Sequence, residues 1–394
     1  MDAALADDRV VLVAGDGGNS LDGYARELAA RLRAPVVPAP GSTGSFGHAL
    51  LSRESLQRAR MDRDLLRRLR RLRAPLLHFT SQHLARYGPR AGTPYIVTVH
   101  DLIRLSDWQQ RHDREPLVHR PNLRDGLLMR ADARGIRRAA AVLAVSEWTA
   151  DELRSQVAIP DERLHAVPEG VDTSRFRPAV PPPGAGRYLL FVGSEQPRKN
   201  LRTLVRALAV VTRDRRHADL RLVKVGSPGG PEAPYRQRFL EEVRAAGVAE
   251  RLVLPGRVPH DELLSWYSGA ECLVIPSLAE GFGLPVLEAM ACGCPVILPA
   301  ETAQAEVGGF AAARYRPATD AAALAAAIRR LLDAPRYREE VRRRGFRRAR
   351  ELSWERTVER TRAVYASVLG ASDAATEPAA SSGGRHPVSA GVEA

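Results

Sequence analysis

One short stretch of this sequence gathers most of the residue types that could do chemistry: Pro276-Ser-Leu-Ala-Glu280-Gly-Phe-Gly-Leu-Pro-Val-Leu-Glu288-Ala-Met-Ala-Cys-Gly-Cys-Pro-Val296. A strand is expected to end at Pro276, and a glycine-bearing loop then holds Glu280. Pro285 suits the first turn of a helix, and Glu288 falls near the end of that turn. Gly281 and Gly283 let backbone N–H groups approach a ligand closely. The helix N-terminus offers unpaired donors and the positive end of a dipole, a combination that suits phosphate. An ionised carboxylate only accepts hydrogen bonds, so Glu280 and Glu288 suit the hydroxyls of a sugar or ribose. Taken singly, Glu280 is equally an ordinary loop acid.

For such groups to converge, strand ends must be brought together. Short apolar segments at 9–15, 75–80, 95–100, 141–146 and 164–168 alternate with amphipathic helices. The first helix is capped at Asn19 or Ser20 and places Leu21, Ala25, Leu28 and Leu32 on one face. This alternation implies βαβ units and a parallel sheet. Arg175-Phe-Arg-Pro-Ala-Val-Pro-Pro-Pro-Gly-Ala-Gly186 breaks it, because proline removes a donor and fixes φ. The alternation restarts with strands at 188–193, 220–226, 252–254, 272–276 and 295–298. A helix is expected from about Arg198, and three more over 319–333, 336–350 and 354–369. The fold class expected is α/β, with two doubly wound Rossmann-like domains facing across a cleft. Their expected bounds are 1–174 and 188–352, with a linker at 175–187. Residues 353–370 form a helix packing back on the first domain, and the Ala/Ser/Gly/Pro-rich 371–394 form a disordered tail.

Composition narrows the classes. A chain of 394 residues suits two domains with substantial cores. No apolar run approaches the length of a bilayer span. Residues 1–8 carry acids where a secretory signal is basic and then apolar, so the expectation is a cytoplasmic protein, at most peripheral at the inner membrane face. Three cysteines, Cys272, Cys292 and Cys294, argue against a disulfide framework. Cys292-Gly-Cys294 lacks a second Cys/His pair for zinc, which leaves small buried residues.

The net charge of +13 is concentrated. Residues 51–75 hold nine arginines against three acids, and residues 336–350 hold eight against two. Such patches attract nucleic acid, anionic lipid or acidic substrates, or are solvated helix faces. Residues 51–75 contain no aromatic side chain, which argues against single-strand nucleic acid. Contact with an anionic membrane stays open.

The 276–296 stretch resembles the Glu-x7-Glu region of family-4 retaining glycosyltransferases (glycosyl transferases group 1) of the GT-B fold. The likeness extends over nearly the whole chain. Asp16-Gly-Gly-Asn19 resembles the first domain's glycine loop, and Val99-His-Asp101 its strand-end histidine. Val145-Ser-Glu-Trp148, Val167-Pro-Glu-Gly-Val-Asp172, Phe191-Val-Gly-Ser-Glu-Gln-Pro-Arg-Lys-Asn200 and Ser353-Trp-Glu355 also have counterparts.

The resemblance implies roles. Glu280 contacts the donor sugar and Glu288 the ribose. Gly281, Phe282, Gly283 and Leu284 bring backbone to the sugar and phosphate. Arg198 and Lys199 neutralise the diphosphate leaving group. Gly17 and Gly18 close over the donor, and His100 hydrogen-bonds the transferred sugar. The backbone around Gly256 and Val258 faces the base. Alone, Gly17-Gly18 reads as a turn, His100 as a satisfied core histidine and Lys199 as a surface lysine.

Two departures stand out. Ser194 replaces the arginine that many relatives carry after the glycine, so the phosphate charge rests on Arg198 and Lys199. Glu306 only loosely follows the family's Glu-Val-x-Gly pattern. No Asp-x-Asp motif sits at a plausible strand end, so no metal is implied, and no cofactor beyond a nucleotide-diphosphate sugar donor.

The activity implied is metal-independent hexosyl transfer with retention by front-face attack. GDP-mannose is a common donor among relatives with Pro-Arg-Lys-Asn. The acceptor is a glycan, a lipid-linked sugar or a small molecule. A nucleotide-sugar epimerase or hydrolase on the same fold, and a basic non-catalytic binding protein, are the alternatives.

Overall fold

The computed structural model describes residues 9–15, 20–40, 53–110, 116–118, 121–227 and 233–376. Apolar runs too short for helices become strands, the central ones buried on both faces as parallel sheets require. In the first half these are β1 (Val10–Gly15), β2 (Val36–Ala39), β3 (Leu76–Phe79), β4 (Tyr95–Val99), β5 (Ala141–Ala144) and β6 (Leu164–Ala166). They pair in parallel in the order β2-β1-β3-β4-β5-β6. Around them lie α1 (Ser20–Leu32), α2 (Arg53–Arg71), α3 (Ile103–Gln109), α4 (Leu123–Arg137) and α5 (Glu147–Glu152).

The second half repeats the plan. Its strands are β7 (Tyr188–Val192), β8 (Arg221–Val225), β9 (Leu252–Gly256), β10 (Cys272–Val274), β11 (Val296–Pro299) and β12 (Ala313–Tyr315). Their order is β12-β11-β10-β7-β8-β9, again all parallel. Its helices are α6 (Leu201–Val211), α7 (Ala233–Ala245), α8 (His260–Gly269), α9 (Leu284–Ala291), α10 (Ala303–Gly308), α11 (Ala321–Asp333) and α12 (Pro335–Glu351). The chain turns outward from β7 through β8 to β9, then returns to the other side of β7 with β10. The strand order therefore reverses between β7 and β10, and ligands of such sheets bind at that switch point beyond the carboxyl ends.

The strands expected from sequence all form, but two edge strands escape the reading. β2 reads Val-Val-Pro-Ala, and a proline survives in a sheet only where its missing donor faces no neighbour. β12 is three residues long, with Arg314 exposed at its centre. Helix α1 buries Tyr24, Ala25, Leu28 and Leu32, the expected face, with Leu21 only half-buried. All three cysteines are free and buried.

The last helix, α13 (Trp354–Thr376), crosses back to the first sheet. Trp354, Val358, Val364, Tyr365 and Leu369 share one core with Val10, Leu12, Leu28 and Ile96. A polar chain runs through that core. Nδ1 of His78 lies 2.7 Å from the Tyr365 hydroxyl, and Nε2 lies 2.7 Å from Thr98 Oγ1. Burial, aided by the nearby His100 charge, pushes the His78 imidazole down to about 3, so the ring is neutral. Helix α13 extends six residues into the stretch expected to be tail, because Ala371-Ser-Asp-Ala-Ala-Thr376 contains no helix breaker. Residues 377–394 lie outside the described residues.

Candidate active site between the two sheets

The carboxyl ends of β7 and β10, flanking the switch point, carry the two segments richest in chemistry. After β7 the chain reaches Gly193 and then a single tight turn, Pro197–Lys199. The helix expected from Arg198 instead starts at Leu201, because Asn200 adopts a left-handed conformation with φ 52° and interrupts it. Asn200 is held there by its side chain, whose Nδ2 donates to the carbonyls of Pro276 (3.0 Å) and Ala318 (2.9 Å). Leu278 N–H donates to the Arg198 carbonyl at 2.7 Å. The turn after β7 and the loop after β10 are thus joined by a backbone bond and by the Asn200 side-chain amide.

That junction brings together three groups assigned from sequence. Lys199 Nζ lies 2.6 Å from Glu280 Oε1, and Arg198 Nη1 lies 2.5 Å from Glu280 Oε2. Burial alone would raise the Glu280 carboxyl, but Arg198 and Lys199 overcome it and hold the group down to about 2. One carboxylate against two cations leaves an excess of positive charge. A water-poor site with such an excess stabilises an anion better than bulk water does.

Glu288 lies two turns further on, in α9. Its Oε2 accepts from the Tyr267 hydroxyl at 2.7 Å. Burial lifts its carboxyl to about 7, and neither Tyr267 nor Arg175 offsets the burial. The two carboxylates therefore differ: Glu280 is ionised at every physiological pH, whereas Glu288 titrates near neutrality. Glu288 and Leu284 line a cavity of about 350 Å3 with Tyr24, Gly170, Arg175 and Trp354. Glu280 lines another, of about 300 Å3, with Ser106, Gln110, Trp148, Glu152 and Gln156. Both cavities draw walls from both halves of the chain.

Between Glu280 and Leu284 the halves touch. A methyl group placed on Gly281 would lie 1.5 Å from the His100 carbonyl oxygen, so only glycine allows this approach. The Gly281 carbonyl accepts from Ser146 Oγ at 2.7 Å and Thr149 Oγ1 at 3.3 Å, both at the start of α5. Phe282 is buried in the second core. Gly283 precedes α9 with φ 110°. A second link comes from Glu306 of α10, whose two carboxylate oxygens accept from the backbone N–H groups of Glu147 (3.0 Å) and Trp148 (3.1 Å). Arg198 N–H donates to the Leu117 carbonyl at 2.9 Å, a third link.

His100 follows β4, as expected, but its ring is engaged by the protein. Nδ1 lies 2.7 Å from Glu169 Oε1, and Nε2 lies 3.0 Å from the Thr80 carbonyl oxygen. The Thr80 carbonyl only accepts, so Nε2 donates to it, and Nδ1 shares a proton with the Glu169 carboxyl. Burial opposes the charged form, yet Glu169 outweighs it and the imidazole is raised above its ordinary value. The ring packs edge-on against Tyr24, centroids 4.8 Å apart. Its backbone carbonyl packs against Gly281.

The remaining expected residues divide. Gly17 and Gly18 lie outside the described residues. Gly256 ends β9, its carbonyl accepting from Gly226 N–H at 2.7 Å, and Val258 packs on the second core. Neither lines the two cleft cavities. Sequence reasoning overlooked the support beneath the site. Lys224 in β8 and Glu195 form an ion pair 2.6 Å long with both side chains fully buried, and Arg236 joins from α7 at 2.5 Å. Glu195 stands three residues before Arg198. The available signal was a lysine inside an otherwise apolar strand, Leu222-Val-Lys-Val225.

Comparison with known proteins agrees with this geometry. The family model described as Glycosyltransferase Family 4 matches residues 6–175, and that described as Glycosyl transferases group 1 matches residues 172–348. A D-inositol 3-phosphate glycosyltransferase from Acidothermus cellulolyticus is 32% identical over 71% of this chain and 63% of its own length. An MMP alpha-(1->4)-mannosyltransferase from Mycolicibacterium hassiacum is 32% identical over 71% of this chain and 67% of its own. The chain thus spans somewhat under two thirds of the first relative and about two thirds of the second. Sucrose-phosphate synthase from Thermosynechococcus elongatus superposes with a TM-score of 0.75 at 22% identity, covering 92% of this chain and all of that one. HepE from Anabaena, in complex with UDP and glucose, gives 0.71 at 14% identity, over 91% and 100%. At such identities the structural likeness speaks for the fold alone. Two parallel sheets meeting over a charged switch point, family models matching each half, and a mannosyltransferase alike over two thirds of its length make this chain a member of glycosyltransferase family 4, built on the GT-B fold.

Proposed function

We propose that the protein transfers a hexose, mannose being the first candidate, from a nucleotide-diphosphate sugar to a hydroxyl of a glycan, lipid-linked or small-molecule acceptor, with retention and without a metal. The observation that carries this reading is Glu280 held between Lys199 and Arg198 at the switch point. The donor's diphosphate takes the two cations, and its sugar meets the carboxylate they leave. Glu288 accepts from the ribose hydroxyls in the cavity beneath. As the diphosphate departs, charge grows on its oxygens, and Lys199 and Arg198 are already placed to stabilise it. Preorganised donors of this kind are worth most in a dry cleft. The departing phosphate itself takes the acceptor proton, so no protein nucleophile is assigned. The mannosyltransferase relative supports mannose as the transferred sugar.

The arginines of α2 give a second element to this reading. Leu65 and Leu69 are committed to the first core, while Arg67, Arg68, Arg70 and Arg71 face solvent. No helix among the described residues is long and apolar enough to cross a membrane. Contact with anionic lipid would be electrostatic and peripheral, at the inner membrane face of the cytoplasm.

The test is a panel of nucleotide-sugars scored by thermal stabilisation, since a ligand at 100 times its Kd adds about 2.7 kcal/mol. The donor found is then incubated with acceptors, and the anomeric configuration of the product is read by NMR. Inversion at the anomeric carbon refutes retention. Turnover of the donor with no acceptor product identifies an epimerase or hydrolase instead.

A further inference from the structure

The links named above between the two halves differ in charge. The Gly281 carbonyl takes hydroxyls from Ser146 and Thr149, and the Leu117 carbonyl takes the Arg198 backbone N–H, so donors and acceptors there are neutral. Glu306 instead brings a carboxylate to the start of α5. Its Oε1 lies 3.0 Å from the Glu147 nitrogen and its Oε2 3.1 Å from the Trp148 nitrogen. Charge-assisted bonds of this kind are roughly twice as strong as neutral ones. The first N–H groups of a helix have no partner within it. In α5 the third, that of Thr149, goes to Ser146 Oγ at 3.0 Å, and the first two go to Glu306.

Both sides of this link are firmly mounted. On the second half, Arg348 of α12 donates through Nη2 to the Glu306 carbonyl at 2.9 Å and through Nε to the Val307 carbonyl at 2.8 Å. Val307 is buried in the second core. On the first half, Thr149 and Ala150 are buried, Ala150 within the first core. Thr302 and Ala303, at the start of α10, line the same cavity as Trp148 and Glu280. The link therefore stands at the rim of the cavity that holds Glu280. Both cleft cavities are walled by the two halves together. Loading and release then require the halves to part and this link to break.

We propose that Glu306 is the latch of the closed cleft, a positioning residue that holds α5 against α10 while the loop carrying Glu280 is seated on the first half. With the latch engaged, the Ser146 hydroxyl meets the Gly281 carbonyl, and Glu280, one residue away, keeps its place beside Lys199 and Arg198. When the halves part, the carboxylate and the two N–H groups return to water. The latch thus favours closure without making it irreversible. A misplacement of about 1 Å at a reacting centre is costly, and a carboxylate held at two points limits such play. The inference goes beyond the transfer reading, since it holds for any donor and acceptor that share this cleft.

The experiment is small-angle X-ray scattering on the full chain, with steady-state kinetics alongside. Glu306→Ala should enlarge the radius of gyration and lower kcat about tenfold, the loss expected for charge-assisted bonds at a half-buried, solvent-screened site. Calorimetry should show both halves melting as in the parent. Glu147→Pro is the finer probe. Glu147 opens α5, where proline fits a helix and removes the N–H that Glu306 Oε1 accepts. Ser146 before it is already extended, as a residue preceding proline needs to be. This variant should move scattering and kcat in the same direction but less, kcat by about threefold. Glu147→Ala keeps the N–H and should match the parent. Glu306→Ala combined with Glu147→Pro should be no worse than Glu306→Ala alone. Scattering from Glu306→Ala that superimposes on the parent, Glu147→Pro indistinguishable from Glu147→Ala, or fully additive losses in the double variant overturns the proposal. So does a fall in donor affinity with unchanged scattering, which places Glu306 on the substrate instead. If no nucleotide-sugar is turned over, the transferase reading fails while scattering still reads the latch.

Discussion

Lys224→Met tests whether the buried ion pair beneath the Pro197–Lys199 turn stabilises the second half. Methionine keeps the length and apolar stem of lysine and deletes the ammonium, along with its 3.1 Å hydrogen bond to the Gly226 carbonyl. Glu195 is then left with Arg236, whose side chain is 19% exposed and so shares its charge with solvent. Glu195 Oε2 is already buried without a hydrogen-bond partner. Breaking a buried pair by removing one partner costs about 3–5 kcal/mol. Because Arg236 remains, the lower end applies. At about 2–4 °C per kcal/mol for a domain of this size, the second half should melt roughly 6–12 °C lower. Differential scanning calorimetry, with and without nucleoside diphosphate, reads the shift. The double variant Glu195→Gln/Lys224→Met has no stranded charge, and neutral replacements of buried pairs are often harmless, so it should regain most of the loss. A single variant that melts within 2 °C of the parent, or a double variant as weak as the single, refutes the argument.

Four further outcomes follow from the same geometry. Lys199→Ala should lower kcat by about 10²–10³-fold, as loss of one preorganised donor does; steady-state kinetics showing less than a threefold loss removes Lys199 from the leaving-group site. Because the folded Glu288 carboxyl titrates near 7 and its ionised form is the better acceptor for ribose, nucleoside diphosphate affinity should strengthen from pH 6 to pH 8, and Glu288→Gln should flatten that rise in calorimetric titrations. Gly281→Ala forces the His100 carbonyl away, and misplacement by about 1 Å can cost 10²-fold; kcat should collapse while both halves keep their melting temperatures. Replacing Arg67, Arg68, Arg70 and Arg71 with Gln should abolish salt-sensitive sedimentation with anionic vesicles, each arginine contributing about 1 kcal/mol near such a surface; parent protein that ignores those vesicles at low salt rules out lipid contact there.

Central strands and the switch-point residues were legible because their signals are local. An apolar run flanked by glycine or proline announces a buried strand, and Glu280 lies in the loop that follows one of them, while Lys199 stood out through the family resemblance. Edge strands β2 and β12 were not legible, since one open side removes the need for a continuous apolar run. Nor could the start of α6 be read, because Asn200 takes its left-handed conformation from partners 76 and 118 residues away. Long-range pairing also hid the ring of His100. Its partner Glu169 stands 69 residues on, and a strand-end histidine looks the same in sequence whether its nitrogens are engaged or open.

The return of α13 to the first sheet bears on how the protein is made. Tyr365 meets His78 across 287 residues of chain. At about 5–20 residues per second, the ribosome needs roughly 15–60 s between delivering one and the other. Throughout that interval Val10, Leu12, Leu28 and Ile96 lack the helix that covers them. The first half therefore waits, partly uncovered, while the second is synthesised with its own core complete. A nascent chain arrested before residue 354 should engage holdase chaperones through its first half, and release from them should coincide with the emergence of the final helix.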